Sequence, residues 1–199
     1  YSKNMKKDTK TGLELTFNNL EVASFEVIVD GKPLPSNEVE FGAAIFLNLK
    51  GVSGFTKKGD LFFPGCEIKL LDSNEKEILF IKDAYEKNFS GGANGSDLYT
   101  DLTTGDPMKI GETYTWKVRF WDKNGKGEIN SQMKVKVKAN QCKITHKAEG
   151  FNFLNLYLVS EKRVVMKNEF KSGETIYLYV TNLKGFNLKD NKVYPGWSI

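Results

Sequence analysis

Residues 42–68 read GAAIFLNLKGVSGFTKKGDLFFPGCEI, and residues 173–199 read GETIYLYVTNLKGFNLKDNKVYPGWSI. The second stretch is the first written again 131 residues later, without a gap. Gly42 meets Gly173, Ile45 meets Ile176, Leu47 meets Leu178, and Gly54-Phe55 meets Gly185-Phe186. Lys58 then meets Lys189, Pro64-Gly65 meets Pro195-Gly196, and Ile68 meets Ile199. Upstream on the same diagonal, Asn37-Glu38 meets Asn168-Glu169, while Asp30 and Lys32 meet Glu161 and Arg163. So many matches on one diagonal point to an internal duplication, and the offset is close to the commonest domain size.

The pattern inside the repeat is that of strands. Leu13 to Phe17 alternates apolar and polar residues, the period of a half-buried strand. Residues 22–29 continue in β-rich residues to a turn at Asp30-Gly31. Pro33 and Pro35 mark a loop or a sheet edge, and residues 43–49 make a short buried strand. Residues 61–71, interrupted by an expected bulge or edge bend at Pro64-Gly65, and residues 77–82 form two further strands around the turn Asp72-Ser73-Asn74. Residues 83–107 read as one long irregular connection, with a tip at 90–97 rich in Gly and Ser. The clearest strand runs from Tyr114 to Trp121. Tyr114, Trp116, Val118 and Phe120 share one face, with Thr115, Lys117, Arg119 and Trp121 on the other. After a turn at Asp122 to Gly125, Ile129, Met133, Val135 and Val137 point inward, and Gln132, Lys134, Lys136 and Lys138 point out. Helical periodicity is absent, so the expected class is all-β.

Gly111-Glu112-Thr113-Tyr114-Thr115-Trp116, followed by Asp122-x-Asn124-Gly125 and a closing strand, resembles the last hairpin of fibronectin type III and related immunoglobulin-like domains. The resemblance covers residues 109–138. It implies a β-sandwich in which Tyr114 takes the role of the tyrosine corner, and tandem modules of the kind found in bacterial cell-surface and secreted proteins. The early strands depart from the family by lacking its tryptophan, and a jelly-roll remains the alternative on strand count. The expected organisation is a flexible leader at 1–11, a β-sandwich at 12–140, and a second at 141–199. That second sandwich carries the N-terminal half only, since Ile199 matches Ile68, midway through the first copy. The repeat therefore predicts a chain that continues for roughly 70 residues, a full domain of usual size. Strands donated by another chain, or a reduced second domain, are the alternatives.

Composition narrows function by exclusion. The net charge of +4 comes almost wholly from lysine, with Arg119 and Arg163 the only arginines. In residues 133–138 the lysines alternate with core positions, which marks a solvated strand face rather than a nucleic-acid surface. No apolar run nears the ~20 residues of a helical membrane span. A polar start at Tyr1 suits the mature part of a secreted or lipid-anchored protein, or a trimmed chain. Cys66 stands where the second copy has Trp197, so it reads as an apolar packing position rather than half of a bridge with Cys142.

Catalysis has little to stand on. His146 is the single histidine and lacks a partnered nucleophile, so no catalytic residue is named. Asp97, Asp101 and Asp106 surround the long connection, and a glycan-processing pair of carboxylates among them is the least favoured reading. Asp83, Asp97 and Asp101 are the candidate ligands for a calcium ion, which takes oxygen donors from loops. No other cofactor is implied. Trp121, Tyr85 and Tyr99 are the candidate ligand-binding aromatics, suited to stacking on sugar rings. Asn88-Phe89-Ser90 and Asn94-Gly95-Ser96 match the glycan-acceptor pattern. The expectation is a non-enzymatic cell-surface or secreted protein, a spacer, adhesion or binding module whose partners are surface proteins or glycans. A carbohydrate-binding module is the runner-up.

Overall fold

The computed structural model describes residues 4–187, 189–192 and 194. The expectations that rested on Pro195-Gly196, Trp197 and Ile199 lie outside the described residues. The fold is all-β, with no helix among the described residues. The chain divides into two compact units, Tyr1–Lys138 and Ala139–Ile199.

Unit 1 contains β1 (Met5–Lys7), β2 (Glu14–Asn18), β3 (Glu21–Val29), β4 (Lys32–Pro33), β5 (Glu38–Glu40) and β6 (Ala44–Ser53). They are followed by β7 (Pro64–Leu71), β8 (Glu77–Ile81), β9 (Leu98–Thr103), β10 (Thr113–Asp122) and β11 (Glu128–Lys138). One sheet runs β1-β2-β11-β10-β7-β8, and β5 joins the end of β11 in parallel. The other runs β4-β3-β6-β9. All other pairings in both sheets are antiparallel.

Alternation decides which face of each strand is buried. In β10 the buried side chains are Tyr114, Trp116, Val118, Phe120 and Asp122, and in β11 they are Ile129, Ser131, Met133, Val135 and Val137. The lysines of β11 point to water, as their spacing dictates. From the smaller sheet come Val27, Ile45, Leu47, Leu49, Leu98 and Leu102. Two apolar faces with polar backs make a β-sandwich. The sheets touch through the Cys66 thiol of β7, hydrogen-bonded to Thr100 of β9. Burial pushes that thiol up to about 12. Both cysteines are free.

Three expectations about unit 1 are corrected. Residues 5–11 are not a flexible leader. Met5–Lys7 pairs with β2, Lys7 meets the Glu14 carboxylate at 2.7 Å, and Thr11 is buried with its hydroxyl donating to Asp8. Residues 83–107 are not one connection, because Leu98–Thr103 forms β9 with Leu98, Thr100 and Leu102 inward. A threonine at the central inward position interrupts the apolar alternation by which a strand is read. Thirdly, β6 runs on to Ser53, beyond the short strand expected over residues 43–49.

Unit 2 holds β12 (Leu156–Ser160), β13 (Arg163–Val164) and β14 (Ile176–Val180), in the order β13-β12-β14. Its registers repeat those of unit 1. Phe25↔Leu49, Val27↔Leu47 and Val29↔Ile45 correspond to Leu156↔Val180, Leu158↔Leu178 and Ser160↔Ile176, each shifted by 131. Val29↔Lys32 corresponds in the same way to Ser160↔Arg163, and Lys58↔Leu61 to Lys189↔Lys192. The tight turn also repeats, with positive φ at Asp30 (48°) and Gly31 (72°), then at Glu161 (47°) and Lys162 (64°). A two-residue hairpin needs both residues left-handed. All buried apolar side chains among the described residues lie in unit 1.

Candidate functional site

Trp121 sits on the outer face of β10, as its alternation predicts, but it is not an open platform. It is opposite Gly65 of β7, and a Cβ at Gly65 would overlap the indole ring. The Arg119 guanidinium lies 4.7 Å from the ring centroid. Arg119 in turn faces Glu67 at 3.7 Å and Glu128 at 3.9 Å. The half-buried indole is thus packed onto backbone and a cation, a favourable pairing for its electron-rich face.

Tyr85 is 4 % exposed and belongs to the core. Its ring lies 4.5 Å from that of Phe89 and 5.9 Å from that of Phe120. Its hydroxyl donates to the Tyr99 carbonyl and accepts from the Tyr99 amide at 3.0 Å. That phenol ties the turn after β8 to β9, and burial drives its pKa upward. Tyr99 points the other way and is 58 % exposed. Trp121, Tyr85 and Tyr99 therefore do not form one ligand surface.

The three aspartates do not meet either. The Asp83 carboxylate accepts from the amides of Cys66 (3.1 Å) and Tyr85 (3.0 Å) and pairs with Lys123 at 2.6 Å. Burial alone would raise its pKa, but the Lys123 ammonium and the two amides outweigh that and hold it below the ordinary value. Asp97 accepts from the Gly51 amide at 3.0 Å. Asp101 stands outward on β9 opposite Phe46. Among the described residues no group of three His, Cys, Asp or Glu side chains could hold a metal ion, so the expected calcium ligands are structural acceptors or surface groups. His146 is exposed, its ring edge-on to Phe153 at 5.1 Å.

Aromatic surface gathers instead on the outer face of the smaller sheet. There Tyr99 lies across from Asn48, and Phe46, 37 % exposed, lies across from Asp101. Lys50 and Glu26 continue the same face as an ion pair at 2.9 Å. In unit 2 the positions of Glu26, Phe46 and Asn48 are held by Tyr157, Tyr177 and Tyr179. Tyr157 and Tyr179 stack at 5.5 Å with 16° between their planes, and Tyr177 is 57 % exposed. The sequence carried this signal at Phe46, Tyr177 and Tyr179, each the outward member of an alternating pair whose inward members are Ile, Leu or Val. Planar apolar faces beside Asn and Asp side chains can stack on a flat ligand while accepting and donating hydrogen bonds at its edge.

Unit 1 also carries a bond that orders its last hairpin. The Lys109 amide donates to the Tyr114 hydroxyl at 2.7 Å, five residues downstream. No helix among the described residues is long and apolar enough to cross a membrane. No family model matches the chain, and no curated protein matches it in sequence.

Proposed function

We propose that this chain is a non-enzymatic extracellular or cell-surface protein, built of fibronectin type III-like modules and acting as a spacer or adhesion element. One observation carries the reading. In unit 1 the order β3-β6-β9 faces β8-β7-β10-β11, the strand arrangement of such modules, with β10 and β11 as the final hairpin. The Tyr114 hydroxyl bond to Lys109 agrees with the tyrosine corner of those domains. The 131-residue repeat of strand registers in unit 2 supports a tandem arrangement. Surface location is tested by antibody labelling of intact source cells and of their culture medium. Label on intact cells or protein in the medium is expected, and detection only after lysis overturns the reading.

A second reading, glycan recognition, is favoured by the outward aromatics Phe46 and Tyr99 beside Asn48 and Asp101. Base-rich or anionic ligands suit this face less, because its flat rings alternate with neutral and acidic groups. A glycan array separates the two. Binding that is lost in Tyr99→Ala supports recognition, and an empty array leaves the spacer role.

A further inference from the structure

We propose that Asn94 is a site of spontaneous covalent conversion, in which its side chain closes on the Gly95 nitrogen and reopens as isoaspartate or aspartate. The sequence holds two Asn-Gly pairs, Asn94-Gly95 and Asn124-Gly125. A glycine has no side chain to shield its amide nitrogen from the preceding asparagine, so both pairs react alike in an unfolded chain. The fold separates them.

At Asn94-Gly95 the chain is a short bridge between two fixed points. Ala93 exchanges both main-chain bonds with Phe62, at 2.8 and 2.9 Å. Beyond the pair, the Ser96 carbonyl accepts from the Val52 amide at 2.6 Å, and the Asp97 carboxylate accepts from the Gly51 amide at 3.0 Å. Asn94 and Gly95 themselves are exposed. Among the described residues no hydrogen bond engages the Asn94 carboxamide or the Gly95 amide. Asn124-Gly125 is held fast by comparison. The Asn124 amide donates to the Asp122 carboxylate at 2.9 Å, and the Gly125 amide donates to the Asp122 carbonyl at 3.4 Å. The same carboxylate accepts from the Thr56 amide at 2.7 Å. Asn124 Nδ2 is buried, and a Cβ at Gly125 would stand 2.3 Å from both the Asp122 carboxylate and the Thr56 hydroxyl. The Asn124 side chain reaches the Gly125 nitrogen only when this turn opens.

The chemistry needs only water. Hydroxide takes the Gly95 amide proton, and the nitrogen forms a bond to Cγ of Asn94. The Cγ–Nδ2 bond breaks, and that nitrogen takes a proton from water and leaves as ammonia. Water then opens the cyclic imide. Attack at Cγ gives aspartate, and attack at the main-chain carbonyl gives isoaspartate, with the chain running through the former side chain. Nothing is oxidised or reduced. Either product replaces a neutral amide by a carboxylate and lowers the net charge of +4 by one. Isoaspartate also lengthens the main chain between the fixed points at Ala93 and Ser96. The conversion consumes the carboxamide on which the Asn94-Gly95-Ser96 acceptor pattern depends, so it and a glycan exclude each other at this residue.

The test holds the whole chain at mildly alkaline pH and physiological temperature, then digests it beside a sample that was not incubated. Trypsin, cutting at Lys87 and Lys109, frees the fragment with Asn94, and chymotrypsin, cutting at Trp121, frees the one with Asn124. Mass and fragmentation separate asparagine, aspartate and isoaspartate at each site. In the folded chain Asn94 is expected to convert at least roughly tenfold faster than Asn124, which must wait for its turn to open. In denaturing urea the two rates should come together. Gly95→Ala checks the mechanism. A Cβ there meets nothing within 4 Å and the residue is not left-handed, so the fold accepts alanine. Its methyl group shields the attacking nitrogen and should slow the Asn94 conversion severalfold. Equal rates at the two sites in the folded chain, or a faster Asn124, overturn the proposal. So does an Asn94 that stays intact in the folded chain while urea converts it, or a Gly95→Ala chain that converts at the parent's rate.

Discussion

At Gly65 a hydrogen atom is all that fits. The Trp121 indole lies where a side chain on β7 would stand, so Gly65→Ala forces the ring or the strand to move. That overpacking is expected to cost about 1–3 kcal/mol, read from the urea midpoint of unit 1. Replacing Trp121 by Ala in the same chain removes the clash, so the two changes together should cost less than their sum. Asp83 supplies a second prediction, with its sign fixed by its pKa. The carboxyl lies below its ordinary value in the folded protein, after the Lys123 and amide interactions overcome burial. Its contribution is therefore complete above the unfolded value of about 3.9 and is lost as pH falls through the lower folded value. Asp83→Asn should be less stable than the parent by about 1–3 kcal/mol near neutral pH, with the gap closing in acid. A gap unchanged from neutral pH to below the folded value would refute the role. Neither residue was legible as structural in the sequence. Gly65 could be read only as a bend beside Pro64. Asp83 could be read only as an oxygen donor near a loop, because its acceptors' partners, Cys66 and Lys123, come from strands and turns distant in the chain.

Among the elements, β10 and β11 were the most legible and β9 the least, for one reason. Tyr114, Trp116, Val118 and Phe120 are large and apolar at every second position, so the sequence states both the strand and its buried face. β9 puts Thr100 in the middle of its inward row, where it hydrogen-bonds the Cys66 thiol, and so the row does not look apolar. The turn Asp30-Gly31 has the composition of a hairpin, but Glu161-Lys162 does not, and only the repeat reveals it. The Tyr114 hydroxyl gives a test at this scale. Tyr114→Phe keeps the ring and leaves the Lys109 amide without its acceptor, so the corner before β10 should lose about 1 kcal/mol. If the midpoint does not move, the bond contributes nothing to holding the hairpin.

For the molecule as a whole, the two units differ in what they bury. Unit 1 has a core from Leu13 to Val137, while in unit 2 the buried residues among those described are the polar Asn155 and Ser160. A small sheet without an apolar core is marginal in water. Brief proteolysis should therefore cut within residues 139–199 first and leave a resistant fragment ending near Lys138, identified by mass. Survival of the full chain under conditions that leave unit 1 intact would contradict this. The sequence announced the second unit through its repeat. It did not reveal the tyrosines on the opposite face as a set, since Tyr157 and Tyr179 become neighbours only through strand pairing. The mixed pairing of β11 has a mechanical consequence. The segment Glu14 to Asn18 runs antiparallel to it and Glu38 to Glu40 runs parallel. Tension applied to the two ends of unit 1 loads the three β1·β2 pairs in shear, because β1 begins beside Thr16 while β11 ends at Lys138 at the far end of the sheet; once β1 is released, the β2·β11 pairs open one after another from Glu14. The parallel clasp Lys136↔Glu38, Val137↔Val39 and Lys138↔Glu40 lies behind β2, β3 and β4 in the chain, so it feels that tension only after those strands have been drawn out. A stretched chain therefore meets its first resistance at the short β1·β2 ladder rather than at the clasp.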